Sequence, residues 1–341
     1  MTRGYAGDAT KTALFIGGTG TISSSIVKLA AQDATWRIYV LNRGTRSGCL
    51  PAQVRQITAD INDLAAVKRA LAGLEFDVVI DCIAYDTVDI IRDRELFAGK
   101  TGQYIFISTA SAYQKPVLSL PITESTPLCN PYSEYARKKI ACEDILVRAY
   151  RESGFPVTIV RPSHTYNDEN LPVAIRGKYT NWQTLLRIQS GKPVIIPGDG
   201  TSLWTLTHAD DFARGFMGLM GNPRALGHAF HITSDDVLTW NQIYSITANA
   251  LGVELHAVHV ASEKIIRYNP DLAGSLLGDK GHSVYFDNTK LKRYVPQFNP
   301  AIRFSDAIHV IIETMLTNTA LQHLDPDLDA WCDMVAKAER A

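Results

Sequence analysis

Short apolar, β-branched runs alternating with longer segments of helical period predict a doubly wound α/β protein, a parallel sheet with helices on both faces, carrying a smaller mixed α/β lobe. Two observations carry this. The runs are apolar nearly throughout, as strands buried on both faces require, and the first run ends in a glycine-rich turn that opens a helix.

In order, the runs are ALFIGG, RIYVLNRG, QITAD, FDVVIDCIA, YIFISTA and FPVTIVRPS, with helical segments such as TISSSIVKLAAQ and INDLAAVKRALAGL between them. After Arg161 the rhythm changes, and from Pro162 to about Trp204 aromatics, glycines and prolines separate shorter helical pieces. HADDFARGFMGLM regains helical period, and FHITS is a strand. In TWNQIYSITANALG, Thr239 and Gln242 have capping-box spacing, so a helix is expected to start at Trp240. The tail LDPDLDAWCDMVAKAERA is amphipathic enough for a packed helix. The division expected is a dinucleotide-binding domain over 10–165 with 205–235 returning to it, and a substrate lobe from 166–204 and 236–341.

The chain has 341 residues, with 34 Lys plus Arg against 35 Asp plus Glu. No global field favours nucleic acid or an anionic membrane, so a small-molecule ligand is the default. The cysteines at 49, 82, 129, 142 and 332 are odd in number and lack C-x-x-C spacing. They read as reduced thiols, with no disulfide framework or metal site. MTRGYAGDATKT lacks the apolar core of a secretory signal and no run of about 18 apolar residues occurs, so a cytoplasmic, soluble protein is expected.

The turn after the first run reads GGTGTIS, with Gly17, Thr19, Gly20, Thr21 and Ile22 leading into a helix. Glycines there let backbone amides approach a pyrophosphate, which a helix N-terminus also favours. Ser23 stands where a third glycine is expected, a change expected to loosen the helix against its strand. The second strand ends in Asn42 and Arg43, with Arg46 nearby, where NAD-binding folds place a carboxylate for the ribose. A guanidinium pairs with a 2′-phosphate that a carboxylate would repel, so NADP is favoured over NAD, unless these arginines only face solvent.

In PYSEYARKKIACED, Tyr135 and Lys139 are four apart and share a helix face, whereas Tyr132 lies about two turns from Lys139. An adjacent ammonium favours the phenolate, so Tyr135 can exchange a proton with a substrate oxygen as hydride moves. The alternative is a solvated face of Arg137, Lys138 and Lys139. Upstream, Ser108, Thr109 and Ser111 follow a strand, where sites in open parallel sheets gather; one of these hydroxyls would orient the substrate.

Together GGTGTIS, Asp60-Ile61, DVVIDCIA, ISTASAY, YARKK with Glu143, VRPSHTY and GDGTSLWTLTHADDFA resemble the extended short-chain dehydrogenase/reductase family of nucleotide-sugar epimerases and dehydratases, over about residues 12–295. The resemblance implies a catalytic Tyr135 and Lys139, with Lys139 also holding the nicotinamide ribose, and Thr109 as the assisting hydroxyl. It implies Asp60 and Ile61 at the adenine, Ala84 and Ser108 along the cofactor, and Pro162 and Ser163 at the nicotinamide. His164, with Tyr85, Ser111 and Trp204, would border the substrate, as would Tyr166, and a homodimer is implied.

Two departures narrow the chemistry. Ala110 and Ser111 replace the acidic pair of sugar 4,6-dehydratases, so that elimination is not expected. Trp204 stands where many members carry an arginine for the substrate diphosphate, so the substrate would lack a nucleotide diphosphate or meet it with another cation such as Arg176 or Lys178; Trp204 itself can stack on a ring or be a plain core aromatic. The glycine-turn and GDG regions also resemble the atypical branch that includes chloroplast stem-loop binding proteins. The expected function is hydride transfer at a carbinol or carbonyl carbon of a sugar-like substrate by an oxidoreductase or an epimerase. The alternatives are a nucleotide-sugar epimerase and a cofactor-binding, non-catalytic, RNA-binding-like protein of the same fold.

Overall fold

The computed structural model describes residues 10–45 and 50–340. The main sheet is built from β1 (Lys11–Ile16), β2 (Trp36–Asn42), β3 (Arg55–Thr58), β4 (Phe76–Asp81), β5 (Thr101–Ile107) and β6 (Val157–Pro162), joined by α1 (Thr21–Gln32), α2 (Leu64–Ala70), α3 (Thr87–Phe97) and α4 (Glu134–Ser153). Next come β7 (His164–Tyr166), α5 (Trp182–Gln189), β8 (Val194–Pro197), β9 (Leu203–Trp204), β10 (Leu206–His208) and α6 (Ala209–Met217). Then follow β11 (Ala229–Ile232), β12 (Leu238–Thr239), α7 (Trp240–Leu251), β13 (Ala257–Val260), α8 (Ser262–Tyr268), α9 (Ala273–Ser275), α10 (Thr289–Tyr294), α11 (Phe304–Thr317) and α12 (Pro326–Arg340).

Seven parallel strands lie in the order β11-β6-β5-β4-β1-β2-β3. Successive residues of β1 serve opposite faces, as the pleat demands. Ala13 and Phe15 enter the core under α1 and α6, whereas Leu14 and Ile16 enter the core under α2, α3 and α4. The direction of winding reverses between β1 and β4, which leaves a crevice outside their carboxyl ends.

Local chemistry sets the helix starts: Asp63, Asp86, Ser133 and Thr239 each cap α2, α3, α4 and α7 with a side-chain oxygen. Helix α7 starts at Trp240 with the Thr239–Gln242 box the sequence predicts. The expected loosening by Ser23 does not occur. Its hydroxyl accepts the Gly20 N–H at 3.0 Å, and Ile26 and Val27 remain fully buried, each worth about 1.5–3 kcal/mol.

The second core belongs to the lobe, where Trp182, Leu185, Trp204, Trp240, Tyr244, Ile311 and Val335 cluster around β8, α5, α7, α11 and α12. Two segments cross the expected division. Tyr113 and Ile122 pack in the lobe core although they precede residue 165, because the chain leaves the sheet after β5 and runs out over the lobe. Leu291, Val295 and Phe298 return to the sheet core although they follow residue 236; the Val295 methyls sit so close to Gly218 that a Cβ there would overlap one of them. Among the described residues no helix is long and apolar enough to cross a membrane. Cys82, Cys129, Cys142 and Cys332 are free thiols; Arg46 and Cys49 lie outside the described residues.

Candidate active site

Two cavities open along the carboxyl edge of the sheet, one on each side of the glycine turn. The first, about 570 Å³, is lined by Gly17, Thr19, Asn42, Arg43, Asp60, Ile61 and Tyr85 among others. The second, about 270 Å³, lies against the lobe and takes in Thr21, Ile22, Thr109, Ser111, Pro162, Ser163, His164 and Trp204.

The first cavity fits a dinucleotide. Gly17 has φ +74°, and a Cβ on it would fall 2.5 Å from Ile83 Cγ2, so the close turn depends on glycine. Asn42 Oδ1 accepts from Gly44 N at 2.9 Å and Gln56 Nε2 at 3.0 Å, which fixes the amide's orientation. Among the described residues its Nδ2 is buried without a partner, a donor left for a ligand oxygen. Arg43 is exposed on the same rim, Asp60 is exposed, and Ile61 is buried beneath it.

Tyr135 stands between the cavities. Its ring lies 6.1 Å from that of Tyr85 in the first, and its phenol is near enough to Thr109 in the second for that hydroxyl to draw its pKa down. The residue is 43% exposed, and the partial burial of its phenol end outweighs the Thr109 effect and pushes Tyr135 up to about 12. Lys139 projects from the buried stripe of α4 that also holds Ala136, Cys142, Glu143 and Leu146. Its Nζ donates to the Ala84 carbonyl at 2.6 Å and the Ile107 carbonyl at 2.8 Å, at the ends of β4 and β5. It lies 4.7 Å from the Tyr85 ring centroid and 5.9 Å from that of Tyr135. Burial lowers its pKa to about 8. Lys138 instead faces solvent, paired with Asp86 and Glu134, and Tyr132 is exposed.

Thr109 caps the short turn after β5, its Oγ1 accepting from Ser111 N at 3.1 Å. Two expected residues stand elsewhere. Ser108 points into the protein and donates to Glu143, which is paired with Arg161, because that buried ion pair needs a further donor. Tyr85 stands on the dinucleotide side rather than the substrate side, since it leaves β4 at the reversal point and packs over Lys139.

On the lobe side, Trp204 is buried, stacked on Trp240 with centroids 5.1 Å apart, and its Nε1 donates to His164 Nδ1 at 2.8 Å. The remaining His164 proton therefore sits on Nε2. Burial, with Lys280 and Arg176 nearby, holds this imidazole well below its usual pKa. Sequence reasoning missed three charged lining residues, Lys115, Asp279 and Lys280. Ser111 donates to Asp279 at 2.9 Å across 168 positions. Lys280 Nζ donates to the Val173 and Ala174 carbonyls, at 3.1 and 2.8 Å. A charged pair beside glycine in LGDKGH is the sole sequence trace of Asp279 and Lys280, indistinguishable from a surface loop, and nothing in SAYQKP singles out Lys115.

A seven-stranded parallel sheet with a glycine turn and a dinucleotide-sized crevice at its reversal point defines a nucleotide-binding protein of the Rossmann type. The family model for the NAD dependent epimerase/dehydratase family matches residues 13–233, and the chain belongs to that family. It is 29% identical over 253 residues to 2′-dehydrokanamycin reductase of Streptomyces kanamyceticus, covering 73% of this chain and 69% of the relative. It is 27% identical over 220 residues to the chloroplast stem-loop binding protein of 41 kDa b of Arabidopsis thaliana, covering 64% of this chain and 52% of the relative. The UDP-glucuronic acid 4-epimerase of Bacillus cereus, solved with UDP-glucuronic acid and NAD, superposes with a TM-score of 0.69 at 18% identity over 89% of this chain and 99% of that one.

Proposed function

We propose that the protein is an NADP-dependent oxidoreductase acting on a carbinol or carbonyl carbon of a sugar-like substrate. The observation that carries this reading is the convergence of Thr109, Tyr135 and Lys139 between a dinucleotide-sized cavity and a second cavity lined with hydroxyl and imidazole groups. The bound nicotinamide supplies or accepts the hydride. Tyr135 gives its phenolic proton to the substrate oxygen on reduction and recovers it on oxidation. Lys139, tied to two carbonyls, keeps a fixed positive charge behind the phenol and favours the phenolate when the proton leaves. Thr109 orients the reacting oxygen.

Two features favour NADP: Asn42 Nδ2, unpartnered among the described residues, and exposed Arg43 put a donor and a cation at the end of β2, while the acid lining the same cavity, Asp60, follows β3. Net oxidation or reduction is preferred over internal epimerisation, and a substrate without a nucleotide over a nucleotide sugar. In support, the lobe-side cavity is small and a relative is named as a reductase.

The test is to incubate the protein with NADP or NADPH and a panel of sugars and keto-sugars while following reduced-nicotinamide absorbance. A stoichiometric change that Tyr135→Phe abolishes supports the reading. Turnover with the cofactor retained and no net change would make it an epimerase, and full activity in Tyr135→Phe would end the proposed mechanism.

A further inference from the structure

The lobe-side cavity contains more positive charge than its own walls neutralise. Lys115 is 2% exposed and lines that cavity, yet among the described residues its Nζ has no hydrogen-bond partner. An ammonium carries three donors, and burying it unpaired is costly unless something else completes the site. The charge nearest it is Asp279 at 4.0 Å, beyond hydrogen-bond range, and that carboxylate already accepts the Ser111 hydroxyl.

Two more cations border the same space. Lys280 uses two donors on backbone carbonyls, which leaves one, and Arg176 makes no hydrogen bond or ion pair among the described residues. Burial lowers the pKa of Lys115 and takes Lys280 to about 7, as expected for ammonium groups lacking a counter-ion. A neutral sugar would satisfy donors but not charge. Position matters too: Thr109 contacts Ser111, Ser111 contacts Asp279, and Asp279 faces Lys115, so the uncompensated ammonium lies close to the candidate reacting centre. At about 270 Å³ the cavity is below the roughly 300–1,000 Å³ of common ligand sites and suits one ring with a substituent.

Resting on the reading above, we propose that the substrate is an acidic sugar-like molecule, a sugar carboxylate or sugar phosphate, whose anionic group is received by Lys115 with Lys280 and Arg176 beside it. The anion supplies the acceptor Lys115 lacks, and Asp279 limits the site to one such group by repelling a second. The same cations disfavour an amino sugar.

The experiment is calorimetric titration of the full chain, saturated with NADP, with glucuronate, glucose 6-phosphate, glucose and glucosamine. At least one anionic probe is expected to bind tightest and glucosamine weakest; the tighter of the two acids identifies carboxylate or phosphate. Lys115→Met is expected to cut the preference for the acid over glucose by roughly 10- to 100-fold, the worth of a charge-assisted hydrogen bond, and Lys115→Arg to retain part of it. Arg176→Ala, a surface change, is expected to weaken the acid by a smaller factor and covers the case in which Lys115→Met does not fold.

If no probe is discriminated by charge, binding of none included, or if folded Lys115→Met keeps the wild-type ratio, the proposal is overturned. Because the readout is binding, Tyr135→Phe should keep the anion preference while losing turnover. Full turnover by that variant with the preference intact sinks the mechanism and leaves the acidic subsite standing.

Discussion

The two cavities are built in opposite ways. Walls of the dinucleotide side come from short contiguous motifs, each sitting where one strand of the sheet ends: Gly17 and Thr19 after β1, Asn42 and Arg43 after β2, Asp60 and Ile61 after β3, Ile83 and Tyr85 after β4. The lobe side joins Thr21 and Ile22 of the glycine turn and the residues that follow β5 and β6 to segments around 176, 204 and 279–286, which reach them through tertiary packing alone. The first is determined by backbone geometry and tolerates little change of shape; the second is determined by charge and hydrogen bonds between distant segments. A cofactor site can thus stay constant while the neighbouring substrate site is rebuilt.

The sharpest way to test this contrast is the group between the cavities. Tyr135→Phe should lower kcat by roughly 10²–10⁴-fold, the usual worth of a positioned acid or base, and leave the NADP dissociation constant within a few-fold. A matching loss of cofactor affinity would show that the two sides are not separable. Next comes backbone geometry: Gly17→Ala puts a Cβ against Ile83 at φ +74° and should cost about 1–3 kcal/mol of stability as well as NADP affinity, both readable by melting and titration. An alanine variant that binds NADP like the wild type would remove geometry as the determinant.

Asn42→Asp keeps the acceptor for Gly44 and Gln56 but replaces the free donor with negative charge. It should shift the NADP-to-NAD affinity ratio toward NAD by roughly 10- to 100-fold without touching the lobe side. No shift in that ratio would count against the NADP assignment.

The smallest effect is in pH. Burial takes Lys139 from 10.5 to about 8 and Lys280 from 10.5 to about 7. Between those values and 10.5 the unfolded chain binds more protons than the folded one, so stability rises with pH from about 7 to 10. Tyr135, moved up from 10.0 to about 12, adds the opposite slope above pH 10. Tm measured across this range should climb and then fall, and Lys280→Met should delay the climb to about pH 8. A Tm that falls steadily from pH 7 would contradict the buried, uncompensated state of both lysines.

Much of the dinucleotide side was legible because strands buried on both faces leave an apolar signature and a glycine turn is a local necessity. Spacing alone put Tyr135 and Lys139 on one face of α4, and that face is the one beside the crevice. Helix α7 starts at the capping pair the sequence offers because caps are local chemistry. Less was legible where a residue's role depends on its neighbours. Ser108 sits beside Thr109 in sequence, yet its hydroxyl is taken by the Glu143–Arg161 pair. Ser23 loosens nothing, because its hydroxyl meets the Gly20 amide.

The absence of an acid at positions 110 and 111 was a correct reading of the sequence but an incomplete one of the site. Asp279 arrives beside Ser111 from 168 positions away, and no periodicity, spacing or composition records such a meeting. The sequence by itself determined the doubly wound sheet, the glycine crevice and the Tyr-Lys helix, because backbone conformation and hydrophobic period are properties of neighbouring residues. Only the tertiary structure decided which charges face the substrate, because burial and pairing of Lys115, Asp279 and Lys280 exist only once the lobe has closed against the end of the sheet.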